Sequence, residues 1–274
     1  MLPTIVTFWH GPASWLERLS AASFLAAGHR LEVYSYEPPA GLPAGVVLKD
    51  AREILPRDKL VFYKGKGTPG VFSDYFRASL MQAEKGVWAD LDVICLRPLA
   101  GLPPLVVSYE RPGSVNGAVL RIPADSPLLA AMLSIFTETR RPLFEPHLPP
   151  FRRLEVALRR LAGQKVAPEA MQYGATGPFA LTYFCARLGL GPILPPEVFY
   201  PVPYAAIPEL MRAGSSLDAF ITEKTLAVHV WRSQITRRGR VDMPLPEQGS
   251  ALAGLCARFG IDPAEPRLPA AIKG

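Results

Sequence analysis

The sequence predicts an α/β fold whose central sheet contains a parallel pair of strands. The first observation is a strand, an amphipathic helix and a second strand over residues 4–36. A unit of this kind pairs its strands in parallel through a right-handed crossover. The second is the run 87–96, where apolar residues flank two aspartates. Open sheets of this class bind ligands at the carboxyl ends of their strands, so we expect the site there.

The opening unit carries its own start and stop signals. Residues 4–10 form the first predicted strand. Ser14 is the expected N-cap of the helix, since Glu17 three residues later completes a capping box. Gly28 occupies the position of a C-cap glycine. Residues 31–36 then form the second predicted strand.

The rest of the chain continues as strands and helices separated by Gly- and Pro-rich connections. Apolar runs predict strands, and apolar stripes at helical spacing predict helices. Further strands are expected at 46–48, 87–96, 105–109, 117–122 and 226–231, and the run 60–63 is strand-like within a basic, glycine-rich loop at 59–70. Helices are expected at 71–85, 127–137, 151–161, 177–188 and 250–259, with a helical turn at 51–55. There is no internal repeat, and we expect residues 1–274 to form a single domain.

Composition narrows the class of protein. The chain has 274 residues, 49% hydrophobic content and a net charge of +6. It lacks both an apolar run long enough to cross a membrane and a signal-peptide pattern, so a cytoplasmic location is expected. Its arginine clusters are not interleaved with aromatic residues, so no nucleic-acid partner is expected. Cys95, Cys185 and Cys256 are odd in number and widely spaced, which favours buried free thiols over disulfides or a zinc site.

Asp90 and Asp92 are the first candidates for chemistry. In an extended strand, residues i and i+2 point to the same side, so both carboxylates could face one ligand. Buried carboxylates are unfavourable unless they are paired or bind a cation. Two hard oxygen ligands suit Mg²⁺ or Mn²⁺, usually with phosphate completing the coordination shell. The alternative is a solvated strand end, where an Asp-x-Asp pattern carries no function.

A glycine-rich loop suggests a different activity. Residues 65–70 match Gly-x-Gly-x-x-Gly, follow the strand-like run 60–63, precede a helix and lie twenty residues before Asp90. This pattern matches a dinucleotide-binding fingerprint, so an NAD(P)-dependent oxidoreductase is an alternative function for the chain. However, Pro69 removes an N–H from the loop that would bind a pyrophosphate. The opening strand–helix–strand unit also lies elsewhere, so we favour a surface loop.

Polar residues on the helix before the two aspartates form a more specific arrangement. Asp74 and Arg77 are three residues apart and therefore share one helix face; an ordinary ion pair is the alternative interpretation. Together with Asp90 and Asp92, they resemble the Ser-Asp-x-x-Arg … Gly-Gly-x-Tyr-x-Asp-x-Asp core of glycosyltransferases with the DXD sugar-binding region. That group includes α-1,4-glycosyltransferases, mannosyltransferases and capsular polysaccharide transferases.

The resemblance has limits that the sequence makes visible. It covers residues 1–123 well and the remainder thinly. Lys85-Gly86 replaces the usual Gly-Gly, and Trp88 replaces the usual Tyr. We interpret these departures as a change in the turn and in one packing residue that leaves the carboxylates intact.

The resemblance implies a GT-A fold. It consists of a Rossmann-like nucleotide-sugar-binding half (1–123) and a smaller, partly helical acceptor-side half (124–274). The implied activity is a metal-dependent, retaining hexosyltransferase that uses Mn²⁺ or Mg²⁺ and a UDP- or GDP-linked sugar. Its acceptor would be a saccharide or glycolipid, in surface polysaccharide synthesis and with peripheral association at the inner face of the membrane. A non-catalytic nucleotide- or carbohydrate-binding module is a further alternative.

The same resemblance implies roles for the central residues. Asp92 would bind the metal on the diphosphate, and Asp90 would contact the ribose or sugar beside it. Asp74 and Arg77 would hydrogen-bond the hydroxyls of the donor sugar. His229 would reach the metal or the diphosphate, although a histidine on an apolar strand is more often a core residue.

The resemblance also implies roles for further residues, although the motifs that contain them are less specific. Phe8, Trp9 and His10 would lie near the nucleotide base, Asn116 and Gly117 near the donor sugar, and Thr176, Gly177 and Trp231 on the acceptor side. Each has a structural alternative. Asn-Gly is a favoured turn pair, and a Thr-Gly-Pro sequence can simply cap a helix.

Overall fold

A computed structural model describes residues 2–63, 68–137, 148–164, 166–236 and 243–265. The strands are β1 (Ile5–Phe8), β2 (Leu31–Ser35), β3 (Val47–Asp50), β4 (Val87–Ala89), β5 (Val93–Cys95), β6 (Val106–Arg111), β7 (Ser114–Arg121) and β8 (Ala227–His229). The helices are α1 (Trp15–Ala26), α2 (Gly70–Gln82), α3 (Pro127–Thr137), α4 (Pro150–Leu161), α5 (Pro178–Arg187), α6 (Arg232–Ile235) and α7 (Ala251–Arg258). Short 3₁₀ helices include Ala51–Glu53 and Tyr204–Met211.

The central sheet is mostly parallel. Its six strands follow the order β3-β2-β1-β4-β7-β6. β3, β2, β1 and β4 run parallel, whereas β7 is antiparallel to β4 and β6 is antiparallel to β7. β5 and β8 form a separate antiparallel pair. The α/β class and the parallel β1–β2 unit predicted from the sequence are therefore confirmed.

Helices cover both faces of this sheet. Ile5 of β1 packs in one buried cluster with Leu16 and Phe24 of α1. The next residue, Val6, packs in a second cluster with Phe72 and Phe76 of α2. Because successive side chains of a strand point to opposite faces, β1 lies between two helical layers.

Local signals fixed the first helix as expected. The Ser14 N–H donates to the Glu17 carboxylate at 2.6 Å, and the Ser14 hydroxyl accepts from the Leu16 N–H at 3.3 Å. Gly28 follows the helix with φ +84°, the left-handed conformation that a C-cap glycine adopts. The three cysteines are buried and free, as predicted.

The run 87–96 is not one strand, which corrects the sequence prediction. It forms β4 and β5, and the chain turns between them at residues 90–92. The Val93 N–H donates to the Asp90 carbonyl at 3.0 Å and closes this turn. The two strands belong to different sheets, and aspartate favours turns. Asp90 and Asp92 therefore converge through a turn and not through strand alternation.

Three other local predictions also differ from the structure. The run 60–63 is not a strand, and Tyr63 instead donates its N–H to the Thr68 carbonyl. The Asn116-Gly117 pair lies inside β7 and not in a turn, because the β6–β7 hairpin turns at Pro112-Gly113. Trp231 lies beyond the end of β8 with φ +38°.

Two further predictions concern the glycine-rich loop and membrane-spanning segments. Residues 65–67 of the glycine-rich loop lie outside them, but the strand that a dinucleotide fingerprint requires before that loop does not form. Within the described ranges, no helix combines the length and apolar character needed to cross a bilayer.

Candidate functional site

The Asp90–Asp92 turn lies at the carboxyl end of β4, where the sheet changes from parallel to antiparallel pairing. β4 pairs in parallel with β1 on one side and antiparallel with β7 on the other. The Asp90 N–H donates to the Ala118 carbonyl of β7 at 2.8 Å, which anchors the turn to the sheet. Asp90 is thus fixed at the edge where parallel sheets bind ligands.

Asp92 is held by the chain that follows β8. His229 Nε2 lies 3.1 Å from Asp92 Oδ1, and the Arg232 N–H donates to Asp92 Oδ2 at 2.8 Å. Burial alone would raise the pKa of Asp92, but His229 and the Arg232 N–H outweigh it, so this pKa is lowered. Asp92 therefore stays ionised, as a metal ligand must.

Asp90, Asp92 and His229 form a cluster whose ligand atoms lie within 4.8 Å of one another. Ligands about 2.1 Å from one octahedral cation lie roughly 3 Å apart when adjacent and about 4.2 Å apart when opposite. The 4.8 Å limit on the separations in the cluster is close to this spacing. Two carboxylates with one imidazole suit Mn²⁺ well, since Mg²⁺ prefers oxygen. His229 Nδ1 is buried and has no hydrogen-bond partner among the described residues. Nε2, 3.1 Å from Asp92 Oδ1, is the nitrogen that approaches the cluster.

Asp90 is fixed through one of its two carboxylate oxygens. Trp88 Nε1 donates to Asp90 Oδ1 at 2.7 Å, and Arg77 Nη2 lies 3.2 Å from the same oxygen. Burial raises the pKa of Asp90 and the nearby Asp92 adds to the rise, while Arg77 opposes it. Because both contacts fall on Oδ1, Oδ2 is the oxygen that a cation or donor hydroxyl could take.

Arg77 lies close to the two aspartates, with its side chain 13% exposed. Nη1 donates to the Gly117 carbonyl at 2.6 Å, and Nη2 donates to the Ser73 hydroxyl at 3.3 Å. The guanidinium lies 4.9 Å from the Trp88 ring centroid, a cation–π distance. Trp88 is therefore more than a packing residue, since it supports both Arg77 and Asp90.

Asp74 lies beneath Arg77 and is almost closed off from solvent. Its Oδ2 accepts from the Thr176 hydroxyl at 2.7 Å, and its Oδ1 lies 3.6 Å from Arg77 Nη2. Burial raises the pKa of Asp74 to about 6, although Arg77 and Thr176 lower it. A Cβ at Gly177 would lie 2.7 Å from Asp74 Oδ1, so only glycine fits there.

The three residues predicted to lie near the nucleotide base differ in their exposure to solvent. Phe8 is buried among aromatic rings and lies 4.9 Å from both Phe72 and Phe76, so it cannot face a ligand. Trp9 is partly exposed, and the Arg232 guanidinium lies 5.9 Å from its ring. His10 is exposed. Of the three, Trp9 and His10 are the residues accessible to a base.

Asn116 is committed to contacts within the fold. Its Nδ2 donates to Glu110 at 2.7 Å, and its Oδ1 accepts from the Ala118 N–H at 2.8 Å. The Tyr200 hydroxyl donates to the same Oδ1 at 3.3 Å. Gly117 contributes through its carbonyl, which receives Arg77.

Trp231 lies beside the cluster. Its ring centroid is 4.3 Å from that of His229, 5.8 Å from Tyr200 and 5.5 Å from Tyr204. Tyr204 is exposed and meets Trp231 edge-on. Tyr200 and Trp231 are buried, so Tyr204 is the ring of this group that is exposed to solvent.

Two further residues near the carboxylates, Tyr173 and Arg232, were not predicted from the sequence. Tyr173 is about half exposed, and its pKa is raised to about 12 by burial and by Asp74, Asp92 and Asp90. Arg232 donates to the buried Glu17 carboxylate at 3.1 Å and its N–H binds Asp92. Tyr173 lies three residues before Thr176, and Arg232 lies directly after Trp231, but only the folded chain brings them to the cluster.

A separate groove of about 510 Å³ lies between α2 and α3. Its lining includes Tyr75, Ser79, Ser134 and one acidic residue, Glu53. It contains none of the clustered carboxylates, and one titratable acid does not make a catalytic constellation. We therefore assign the candidate site to the Asp90–Asp92 turn.

Comparisons with known proteins add little to this assignment. No protein family model matches the chain, and no curated protein matches it. One similar solved structure is titled "PaToxG Glycosyltransferase", with 13% identity and a TM-score of 0.38. The match covers 68% of this chain and 71% of that one. At this TM-score the likeness supports no argument about fold or function.

Proposed function

We propose that the chain is a metal-dependent glycosyltransferase of the GT-A fold. It would move a hexose from a UDP- or GDP-linked donor to a saccharide or glycolipid acceptor, in surface polysaccharide synthesis. The observation that carries the proposal is the Asp90, Asp92 and His229 cluster at the carboxyl end of β4, with Arg77 held against Asp90. A nucleotide sugar brings two negative phosphates, which such a cluster can bind only through a cation.

The donor set fits a divalent ion on the diphosphate. Asp92 and His229 would hold Mn²⁺ or Mg²⁺, with Asp90 Oδ2 as the third protein atom. When bound, the ion would neutralise the charge that develops on the leaving diphosphate. Arg232 keeps Asp92 oriented through its backbone N–H, 2.8 Å from Oδ2.

Arg77 and Asp74 would act mainly by positioning. Arg77 is hydrogen-bonded to Gly117 and Ser73 and contacts Asp90, so few of its N–H groups remain for a sugar. The side chain of Asp74 is 9% exposed, and its carboxylate fixes Thr176 and Arg77. Their combined effect is to hold Asp90 where it can meet the ribose or the donor sugar.

The nucleotide base and the acceptor would occupy opposite sides of the cluster. Trp9, beyond the carboxyl end of β1, offers a partly exposed ring on which a base can stack. Thr176, Gly177 and Trp231 come from the second half of the chain, 124–274, which we assign to the acceptor. Thr176 and Trp231 are themselves buried, so the exposed Tyr204, which packs edge-on against Trp231, would supply the apolar surface there.

We propose that the anomeric configuration is retained because the donor bond breaks and the acceptor bond forms on the same face of the sugar. A double displacement needs a carboxylate beneath the anomeric carbon. Asp74 is nearly closed off, and Asp90 is tied to Trp88 and Arg77. A front-face reaction is therefore favoured. The bond from the anomeric carbon to the diphosphate would break, the acceptor oxygen would bond to that carbon on the same face, and a diphosphate oxygen would take the hydroxyl proton.

Release of nucleoside diphosphate from a panel of UDP- and GDP-hexoses, with and without Mn²⁺, tests the proposal. We expect Mn²⁺-dependent release with at least one donor, and loss of release in Asp92→Asn. The same substitution at exposed Asp218 is the matched control and should retain activity. Absence of release from every donor, despite metal-dependent binding, would favour a non-catalytic binding module. Anomeric coupling constants of the product in proton NMR test retention.

A further inference from the structure

The outward face of α4 is apolar, which is the reverse of an ordinary surface helix. Val156 is buried and faces the body of the protein. The exposed fractions of Phe151, Leu154, Leu158 and Leu161 are 66%, 61%, 56% and 85%. At about 100° per residue these four positions share an arc of roughly 80°, centred nearly opposite Val156. We call these four side chains the α4 stripe.

The arginines of α4 lie on the half of the helix opposite the α4 stripe, roughly 80–100° beyond its two edges. The helix carries four arginines, Arg152, Arg153, Arg159 and Arg160, against one acid, Glu155. Glu155 pairs with Arg152 at 2.5 Å and with Arg159 at 2.6 Å. The helix therefore retains a net positive charge beside an exposed apolar surface.

This combination is typical of helices that lie in the plane of a membrane surface. Such helices insert an apolar face at the boundary between headgroups and acyl chains, while basic residues meet anionic headgroups. Arginine can extend its aliphatic stem along the apolar zone and keep its guanidinium at the headgroups. With 12 residues, α4 is far too short to span a bilayer.

We propose that α4 docks the protein onto anionic lipid bilayers, with the α4 stripe inserted at the interface. The charge of the helix selects this occupant, because anionic headgroups complement the excess of positive charge that four arginines and one glutamate leave on it. A second copy of the chain is a poorer occupant. The stripe is only about 15 Å long and one helix wide, whereas a stable dimer needs about 800 Å² per partner. Two such helices would also bring like charges together.

This inference does not rest on glycosyl transfer, but it bears on the site. α4 packs beside residues 170–172, and this segment leads within a few residues to Thr176, which donates to Asp74. Docking through α4 would therefore hold the second half of the chain close to the bilayer. An acceptor anchored in lipid would then be accessible to the site.

Vesicle co-sedimentation tests the docking. The full-length protein is mixed with phosphatidylcholine vesicles, or with vesicles that also contain about 30 mol% phosphatidylglycerol. We expect binding to the anionic vesicles and little to the neutral ones. Leu154→Glu/Leu158→Glu should weaken it by about tenfold or more, because two carboxylates replace inserted leucines. Arg153→Gln should weaken it by about fivefold.

Leu245→Glu is the matched control, since Leu245 is 56% exposed and lies outside α4; it should bind like the wild type. Circular dichroism should show that each variant is folded, because the substituted side chains are exposed. Failure of the wild type to bind anionic vesicles, or full binding by the Leu154/Leu158 variant, would overturn the proposal. A wild-type dimer that becomes monomeric in this variant would instead assign the stripe to a second copy.

Discussion

Ionised Asp74 should destabilise the fold, and Asp74→Asn should reveal this as a pH-dependent difference in stability. The carboxyl is buried, and its pKa is raised from 3.8 to about 6. A shift of about 2 units corresponds to roughly 3 kcal/mol. Between these values the folded state binds more protons than the unfolded state. The free energy of unfolding therefore falls as pH rises from about 4 to 6, and the loss is complete above the folded pKa.

Asparagine cannot ionise, so the variant lacks this loss. Its amide oxygen can still accept from the Thr176 hydroxyl, which lies 2.7 Å from Asp74 Oδ2. Urea denaturation of both proteins between pH 4 and pH 8, in metal-free buffer, gives the difference directly. The stability of Asp74→Asn relative to the wild type should increase by about 2–3 kcal/mol across this range.

Asp218→Asn is the control for this experiment, because it makes the same change at an exposed position. Its stability relative to the wild type should change little over the same range. A difference between Asp74→Asn and the wild type that stays constant from pH 4 to pH 8 would refute the reasoning. A relative stability that decreases with pH would do so as well.

Three further substitutions test the contacts around Asp90. Arg77→Lys should reduce the rate of sugar transfer by at least about a hundredfold, since lysine cannot keep both the Gly117 and Asp90 contacts. The nucleotide affinity measured by calorimetry should stay within about threefold of the wild type. An equal loss of transfer and of nucleotide affinity would make Arg77 purely structural. Gly177→Ala should lower the free energy of unfolding in urea by about 1–3 kcal/mol and reduce sugar transfer, because the added methyl overlaps the Asp74 carboxylate. An unchanged free energy of unfolding and unchanged transfer would refute that overlap. Trp88→Phe removes the donor to Asp90 and should reduce turnover about tenfold, whereas full activity would show that the indole N–H is dispensable.

Local signals in the sequence were enough to predict the opening of the fold. The capping box at Ser14 and Glu17, the glycine at Gly28 and two apolar runs all act within a few residues. The parallel pairing of β1 and β2 follows from the handedness of a strand–helix–strand unit. Such features can be predicted from the sequence because they depend on residues that are close together along the chain.

The interior of the site could not be predicted in the same way. Residues 87–96 contain apolar residues throughout, and no local signal shows that β4 and β5 join different sheets. Thr176 lies 102 positions from its partner Asp74, and Arg232 lies 140 positions from Asp92. Such contacts depend on tertiary packing. Only the family resemblance pointed to Thr176 and His229, and it did not point to Arg232 or Tyr173.

Titration calorimetry with UDP and GDP, with and without Mn²⁺, tests the central claim most directly. Our account predicts that Mn²⁺ tightens the binding of one of these nucleotides to the wild type by about tenfold or more, since the cation links two phosphates to Asp92. Asp92→Asn should lose this effect and Asp218→Asn should keep it. Failure to bind either nucleotide, or an affinity indifferent to both Mn²⁺ and Asp92, would contradict the account.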